Sequence, residues 1–233
     1  DVVRIGFTAN PMRSDGRGMS PAFDSIVVVS TIKELTQQGH LVPCRVIAPD
    51  KPLKRPNLSC QPVEAYKEFA LGQRTVVFAE FVADACTFRD QFLEAGIPAV
   101  VIHGEMTSAD RKSALASHAQ GAVLVNVMVL TEGWDSPATT CCILARGCGS
   151  VGTYLQIVGR LLRAYPDKDR ATLQDHSGCW WRHGSPNMDR QWQLGQTDKQ
   201  IAKDRKLARQ RGEELEPICC PKCAGIRMVG PKC

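Results

Sequence analysis

Short apolar runs alternate with amphipathic stretches from residue 41 to residue 175, and few folds accommodate such an alternation. The runs are rich in β-branched residues and typical of buried strands, whereas the stretches between them have helical spacing. Strands separated by helices of this length form parallel sheets with right-handed crossovers. The sequence therefore predicts an α/β fold, a parallel sheet with helices on both faces. The predicted strands are 41–48, 75–79, 99–103, 122–129, 140–145 and 171–175, and the predicted helices include 63–71, 84–95 and 108–119, the last with Ser108 as its N-cap.

The N-terminal residues depart from this alternation. Residues 1–7 contain Val2, Val3, Ile5 and Phe7, which are strand formers, and they predict a strand that ends in a turn at 8–11. Since no element precedes this strand, we expect the chain to be part of something longer. A short helix is predicted to start at Ser30 or Thr31 and to end before a C-terminal glycine, Gly39.

The pattern also changes after residue 176. Trp180, Trp181 and Trp192 form an aromatic group, which we expect to pack against the sheet rather than to stack on nucleic-acid bases. Residues 198–216 are charged and prone to form helix, and we expect a solvated helix or tether. The alternative is a segment that follows a phosphate backbone. The sequence thus predicts a small, irregular or helical C-terminal tail.

Charge and hydropathy leave several classes of protein open. A formal net charge of +5 permits nucleic-acid binding without requiring it. No apolar run approaches the roughly 20 residues that a membrane helix needs, and the N-terminus lacks a signal-peptide pattern. Most of the 11 cysteines stand singly in apolar runs, where a thiol behaves as a small hydrophobe. We therefore expect a soluble, cytoplasmic protein in a reducing compartment, with no membrane partner.

Polar residues follow two of the predicted strands at their carboxyl ends, where open parallel sheets bind ligands. Strand 122–129 leads into Thr131, Glu132, Gly133 and Asp135. A hydroxyl and backbone N–H groups suit a phosphate, and Asp135 could accept from a ribose hydroxyl. The alternative is an ordinary polar turn.

Strand 99–103 similarly ends in His103 and Gly104, with Arg111 on the next helix. A lone histidine at a strand end is more often structural than catalytic, so we do not assign His103 as a base. The chain nevertheless carries two polar strand tips in succession.

A third polar group occupies residues 156–163, which are predicted to form an amphipathic helix. Its aliphatic residues face one side, and Arg160 and Arg163 lie along another edge with Gln156 one turn earlier. Gly159 allows close approach of a backbone or ligand. This edge could hold a polyphosphate, and the alternative is a surface helix with two solvated arginines.

These motifs together resemble those of superfamily 2 helicases. Residues 8–13, 76–85, 103–111, 125–137 and 156–163 are similar to motif III, motif IV, the element after motif IV, motif V and motif VI, in that order and spacing. The resemblance covers roughly residues 1–178 and is strongest to DEAD/DEAH-type DNA helicases of bacteria and phages, including a repair-helicase branch with a cysteine-rich tail. It implies a second RecA-like domain that acts with ATP and Mg²⁺ on nucleic acid, and the preference for DNA rests on the likeness alone.

The resemblance also implies roles for individual residues. Arg160 and Arg163 would be arginine fingers that reach the γ-phosphate, and Gln156 would sense the nucleotide. Gly133 and Asp135 would contact the nucleotide. The expected nucleic-acid contacts are Thr131, Glu132, His103, Gly104 and Arg111, and the residues expected to couple hydrolysis to domain movement are Thr8, Ala9 and Asn10.

The sequence departs from the helicase pattern at several points. Asn10 stands where threonine is usual, and Trp134 replaces a more usual phenylalanine. No Gly-x-x-x-x-Gly-Lys-Ser/Thr and no Asp-Glu-x-Asp/His sequence occurs, so the phosphate loop and the Mg²⁺ carboxylates are missing. We therefore expect this chain alone not to hydrolyse ATP and to require an upstream RecA-like domain as its partner.

The expected organisation has four parts. Residues 1–40 are a remnant of the first RecA-like domain with a connector, 41–178 are the C-terminal RecA-like domain, 179–216 an aromatic and charged extension, and 217–233 a truncated zinc-ribbon-like tail. Cys220 and Cys223 have the spacing of a zinc knuckle, and Cys233 would begin a second one. This set is a half-site for Zn²⁺. A different class of function, a nucleic-acid-binding module that does not use ATP, stays open.

Overall fold

The computed structural model describes residues 3–13, 15–49, 53, 57–131, 134–211, 218–219 and 226–227. Its strands are β1 Cys44–Ile47, β2 Thr75–Phe78, β3 Ala99–Ile102, β4 Val123–Asn126, β5 Cys141–Leu144, β6 Ala171–Asp175, β7 Ile218–Cys219 and β8 Ile226–Arg227. Its helices are α1 Ile32–Gln37, α2 Pro62–Phe69, α3 Val82–Glu94, α4 Ser108–Ala119, α5 Val151–Leu161, α6 Cys179–His183 and α7 Asp198–Gln210, with a 3₁₀ turn at Val129–Thr131.

The described strands form one sheet in the order β3-β4-β2-β5-β6-β1-β7-β8. Neighbouring strands from β3 to β7 are parallel, and β7 pairs antiparallel with β8. Every residue of β2, β4, β5 and β6 is buried, which explains why the first three stand out in the sequence as largely apolar runs, whereas β6 buries Gln174 and Asp175. The predicted α/β fold with a parallel sheet is confirmed.

Successive residues of a strand point to opposite faces of the sheet, and both faces are covered. Val76 and Phe78 of β2 pack in one buried cluster with Tyr154 and Ile157 of α5. Val77, between them, packs in the other cluster with α2 and α3. The prediction of helices on both faces is therefore confirmed, and α5 is held against the sheet by its apolar side.

The N-terminal strand predicted at 1–7 is wrong for the part that the structure describes. Residues 3–8 have no strand pairing, and Val3, Ile5 and Phe7 are 84%, 74% and 97% exposed. A strand needs a partner for its backbone N–H and C=O groups, and none of the described strands lies beside this segment. Strand propensity alone is therefore not sufficient to form a strand in this segment.

Several predicted boundaries also change, and strand 122–129 shortens to β4, followed by the 3₁₀ turn. The N-cap of α4 is Thr107 rather than Ser108, because the Thr107 hydroxyl accepts a 3.2 Å hydrogen bond from the N–H of Asp110. Strand 41–48 shortens to β1, since Pro43 has no N–H to donate. The helix predicted from Ser30 or Thr31 is confirmed as α1, which Thr31 and Glu34 close with a reciprocal capping box.

The residues after β6 pack back on the sheet. Trp180 is buried in the same cluster as α5, and its ring meets that of Trp181 edge to face at 5.3 Å. The predicted packing of these two tryptophans is confirmed. None of the helices in the described part of the chain combines the length and hydropathy that crossing a membrane requires.

Candidate nucleotide and nucleic-acid site

Helix α5 begins after the carboxyl end of β5 and runs back along the sheet to the amino ends of β1 and β6. Ser150 caps the helix by accepting a 3.1 Å hydrogen bond from the Thr153 N–H, and Tyr154, Ile157 and Leu161 are buried. Gln156 is exposed and Arg160 is half-buried on the opposite edge. The amphipathic pattern predicted for this segment is thus observed.

The helix ends earlier than the sequence predicts. Its last residue is Leu161, and Arg163 lies in an isolated antiparallel bridge with Leu41. The carbonyl of Leu162 accepts a 2.8 Å hydrogen bond from the N–H of Val42, so the chain before β1 diverts the backbone away from the helix. Arg163 therefore occupies an extended position just beyond α5.

Both arginines contact the same loop, which we call the 134–139 loop and which runs from residue 134 to residue 139 before β5. Arg160 donates to the carbonyl of Trp134, and Arg163 forms an ion pair with Asp135. The Arg163 and Asp135 side chains are 44% and 64% exposed, so water screens this pair and its net stabilisation is small. The two guanidinium groups thus contact adjacent residues of one loop, and that of Arg163 is exposed to solvent.

A cleft of about 970 Å³ lies between the N-terminal segment and α5. A Cβ atom built on Gly159 would meet nothing within 4 Å, so the helix surface is open at this point. The cleft brings together most of the residues predicted for nucleotide sensing and coupling, namely Thr8, Ala9, Asn10, Gln156, Arg160 and Arg163.

Asn10 connects the N-terminal segment to α5. Its side chain is buried and donates a 3.0 Å hydrogen bond to the carbonyl of Gly152 in the first turn of the helix. The Thr8 hydroxyl accepts from the Asn10 N–H at 3.2 Å and donates to the Asn10 carbonyl at 3.0 Å. Asn10 stands where the helicase pattern usually has threonine, and its amide is long enough to reach α5. The shorter threonine side chain would reach the helix less easily.

The loop after β3 gathers the second group of predicted residues. Arg111 of α4 donates to the carbonyl of Gly104, and the His103 N–H points to the sulfur of Met106 at 3.4 Å. The Nδ1 of His103 and the Nε of Arg111 are buried and have no hydrogen-bond partner among the described residues. The structure thus places these three predicted residues together beyond the carboxyl end of β3, whereas the 134–139 loop lies near the amino ends of β2, β5 and β6.

Sequence reasoning missed His118, which lies near the end of α4 and contacts the 134–139 loop. Its Nδ1 donates to the carbonyl of Ala122 at 2.8 Å, so in the neutral ring Nε2 accepts from the Thr139 hydroxyl at 3.1 Å. Its ring lies 6.1 Å from that of Trp134. Burial lowers the pKa of His118, which favours this neutral form.

Sequence reasoning also missed Lys168, whose ammonium group is buried between the loop and α5. Both missed residues bond mainly to backbone carbonyls or to a side chain far away in the sequence. No local spacing in the sequence signals such contacts.

Several predicted residues lie outside the described part of the chain. These are Glu132, Gly133, Cys220, Cys223 and Cys233, and the side chain of Thr131 is likewise not described. Among the residues that the structure does describe, no group of three or more His, Cys, Asp or Glu side chains could hold a metal ion.

The parallel sheet, its two helical layers and the polar loops at its strand tips define a RecA-like domain. Residues 61–165 match the family model for the "Helicase conserved C-terminal domain". Residues 61–165 of this chain therefore resemble a helicase C-terminal domain, within a RecA-like fold.

Individual relatives are consistent with this family. The chain is 29% identical over 213 residues to the "51.5 kDa protein" of Lactococcus phage (isolate 7-9), a match that covers 82% of this chain and 47% of the phage protein. It is 28% identical over 194 residues to the "Putative mitochondrial ATP-dependent helicase irc3" of Schizosaccharomyces pombe, covering 73% of this chain and 32% of that protein. The chain thus spans less than half the length of these curated relatives.

A solved structure has the same fold. "The fragment structure of a putative HsdR subunit of a type I restriction enzyme from Vibrio vulnificus YJ016" superposes with a TM-score of 0.63 at 21% sequence identity. The match covers 77% of this chain and 40% of that one.

Proposed function

We propose that this chain is the second motor domain of an ATP-dependent DNA helicase or translocase. In this proposal it supplies Arg160 and Arg163 to an ATP whose phosphates a preceding RecA-like domain holds. The observation that carries the proposal is the convergence of both guanidinium groups on one loop beside an open cleft. An isolated surface helix would have no reason to direct both arginines to the same loop.

The cleft fits one part of the nucleotide. Two guanidinium groups and the Gln156 amide are donors suited to a terminal phosphate, and the open surface at Gly159 leaves room for it. Mg²⁺ does not fit, because none of the described residues that line this cleft is Asp or Glu. The metal-holding carboxylates therefore belong to the preceding domain in this proposal.

The arginines would act by electrostatic stabilisation. Phosphoryl transfer builds negative charge on the equatorial oxygens, and a guanidinium group placed there lowers the barrier. Arg163 is 44% exposed and held by a solvated ion pair, so it can leave Asp135 for a phosphate at small cost. Asp135 then becomes available to accept a hydrogen bond from a ribose hydroxyl.

The strand tips provide the proposed nucleic-acid contacts. Gly104 and Arg111 lie at the carboxyl end of β3, next to β4, whose following loop contains Thr131 and Glu132. Backbone N–H groups, hydroxyls and arginines in such positions bind phosphates without reading sequence. Asn10, bonded to Gly152 of α5, would transmit changes in the cleft to the N-terminal segment and thus to the preceding domain.

The test compares this chain with the longer protein that joins it to the phosphate-holding domain. We expect the chain alone to hydrolyse no ATP above background, and the longer protein to show ATP hydrolysis that DNA stimulates more than RNA of the same sequence. Hydrolysis by the chain alone would contradict the division of labour between the two domains. DNA binding that neither stimulates ATP hydrolysis nor depends on ATP would instead support the nucleic-acid-binding module, for which Lys199, Lys203 and Lys206 on α7 provide a basic surface.

We also propose that Cys220 and Cys223 bind Zn²⁺ as half of a thiolate site, with Cys233 contributing in the longer protein. In support, β7 and β8 form an antiparallel pair whose members flank residues 220–225 in the sequence. Such a short ladder around a Cys-x-x-Cys spacing is a common support for a zinc knuckle.

Metal analysis tests this zinc site. We expect the longer protein, purified without added metal, to contain about one equivalent of zinc, and Cys223→Ser to lose most of it. Cys86→Ser, on α3 and outside the cysteine cluster, is the matched control and should retain zinc. Equal zinc content in the Cys223→Ser and parent proteins would exclude these thiolates as ligands.

A further inference from the structure

The ammonium group of Lys168 lies among four backbone carbonyls from two separate segments. It donates to Pro137 at 2.8 Å and Thr139 at 2.7 Å in the 134–139 loop, and to Leu161 at 2.7 Å and Arg163 at 3.1 Å at the end of α5. An ammonium group has three N–H donors, so every donor has an acceptor and one N–H is shared between two carbonyls. Lys168 therefore joins the loop to the C-terminal end of the helix directly.

The conformation of the local backbone fixes the direction in which this side chain extends. Asp167 adopts a left-handed conformation with φ of 63°, and the Lys168 N–H closes a turn on the carbonyl of Tyr165 at 3.1 Å. Non-glycine residues rarely hold this conformation unless the surroundings require it. The Lys168 side chain is 8% exposed, so the turn directs a charged group into the protein rather than into water.

The partners of Lys168 explain how the buried charge is tolerated. The last carbonyls of a helix lack intrahelical donors and carry partial negative charge, so a cation at the end of α5 satisfies them. Burial lowers the pKa of Lys168 to about 8, and the group is therefore still mostly protonated at neutral pH.

The same two segments are connected a second time by the arginines. Arg160 and Arg163 reach Trp134 and Asp135 at the start of the loop, whereas Lys168 holds Pro137 and Thr139 near its end. The arginine contacts have to open if these side chains move to a phosphate. The Lys168 contacts go to backbone atoms and do not depend on where the arginine side chains point.

We propose that Lys168 is a positioning residue that keeps the 134–139 loop and the end of α5 in register while Arg160 and Arg163 engage the nucleotide. This inference rests on the proposed function for its catalytic consequence. Its structural part concerns this chain alone, and the two parts can be tested separately.

The structural part is tested by hydrogen–deuterium exchange of the chain without nucleotide. In Lys168→Met we expect amides of the loop and of the end of α5 to exchange about tenfold faster, notably Thr139, Leu162 and Ala164, while amides of β2 and β4 change little. Lys112→Met, at an exposed position on α4, is the matched control and should leave all of them unchanged. A uniform increase throughout the sheet, or no local increase, would overturn the proposal.

The catalytic part is tested in the longer protein. We expect Lys168→Met to lower kcat for ATP hydrolysis about 10- to 100-fold with KM for ATP within about twofold, because small misplacements of catalytic groups have effects of this size. Lys168→Arg, which keeps the charge, should recover part of the loss. Unchanged kcat together with faster local exchange would overturn the positioning role, and it would leave the proposed function to be judged by the arginine variants.

Discussion

Arg160→Ala is expected to lower kcat for ATP hydrolysis about 10³-fold in the protein that joins this chain to its phosphate-holding domain, and Arg163→Ala to have an effect of similar order. Arginine fingers contribute about 10³ to 10⁵ in rate in phosphoryl-transfer enzymes, since they stabilise charge that develops only in the transition state. KM for ATP should change much less, because the preceding domain makes most of the ground-state contacts. Steady-state ATPase kinetics at saturating DNA measure both quantities.

The effect on stability should be small in both variants. Arg160 donates to a backbone carbonyl and Arg163 forms a solvated ion pair, so each substitution should lower the free energy of unfolding by no more than about 1 kcal/mol. A protein that remains folded but loses hydrolysis separates a catalytic role from a structural one.

Two further variants sharpen this prediction. Arg160→Lys keeps the positive charge but not the planar fork of donors, so it should restore only a small part of the lost rate. Arg170→Ala is the matched control, because Arg170 is exposed, pairs with Asp169 and lies beyond the turn that follows α5. Wild-type ATPase activity in Arg160→Ala and Arg163→Ala would refute the assignment of this chain as a motor domain.

The free energy of unfolding should fall steeply as the pH is lowered from about 6.5 to about 4. His176 and His183 are both buried, and burial lowers the pKa of each to about 4. The His176 ring lies between Ser59 at 2.9 Å and Gln174 at 3.2 Å, while His183 donates to the carbonyl of Cys148 at 2.8 Å and stacks on Tyr154. Neither ring has a carboxylate partner among these contacts that would favour its charged form.

The sign follows from the depressed pKa values. Below the ordinary histidine pKa of about 6.5 the unfolded chain binds protons that the folded chain refuses, so acid favours unfolding. Two such groups give a slope of up to about 2.7 kcal/mol per pH unit within this window. Burial raises the pKa of Asp175, which acts in the opposite direction and reduces the slope toward the acid end.

Urea denaturation of the chain at pH 7, 6 and 5 measures this slope. His176→Asn should lower the slope by up to about 1.4 kcal/mol per pH unit, whatever its effect on stability at pH 7, because it removes one titrating group while His183 and His118 remain. His40→Asn is the matched control, since His40 is exposed. An identical slope in His176→Asn and wild type would show that the buried ring is not the source of acid sensitivity.

The sheet could be predicted from the sequence because burial leaves a strong trace in the residues of its strands. Strands β2, β4 and β5 are buried along their whole length, and their apolar runs are correspondingly continuous. The N-terminal residues have the same strand propensity, yet Val3, Ile5 and Phe7 are exposed because no described strand pairs with them. Propensity is local, whereas strand formation depends on a partner that local sequence does not reveal.

The side chains that donate hydrogen bonds in the candidate site could be predicted from the sequence, but the residues that hold them in position could not. The spacing of Gln156, Arg160 and Arg163 predicted one edge of an amphipathic segment, and the structure places them at the cleft. The end of α5 at Leu161 was not predictable, because it depends on Val42 and Lys168, which reach it from other parts of the chain. Backbone carbonyls occur at every residue, so contacts to them leave no recognisable motif. The roles assigned to Glu132, Gly133 and the tail cysteines remain predictions.

The amino end of α5 is also supported from the far end of the chain. Asp198, the first residue of α7, accepts a 3.3 Å hydrogen bond from the Val151 N–H, and its own N–H donates to the carbonyl of Gly16 at 3.1 Å. A truncation for recombinant expression that stopped at residue 178, where the predicted RecA-like domain ends, would delete this carboxylate. The folding unit that presents the arginines thus extends beyond the domain boundary predicted from the sequence.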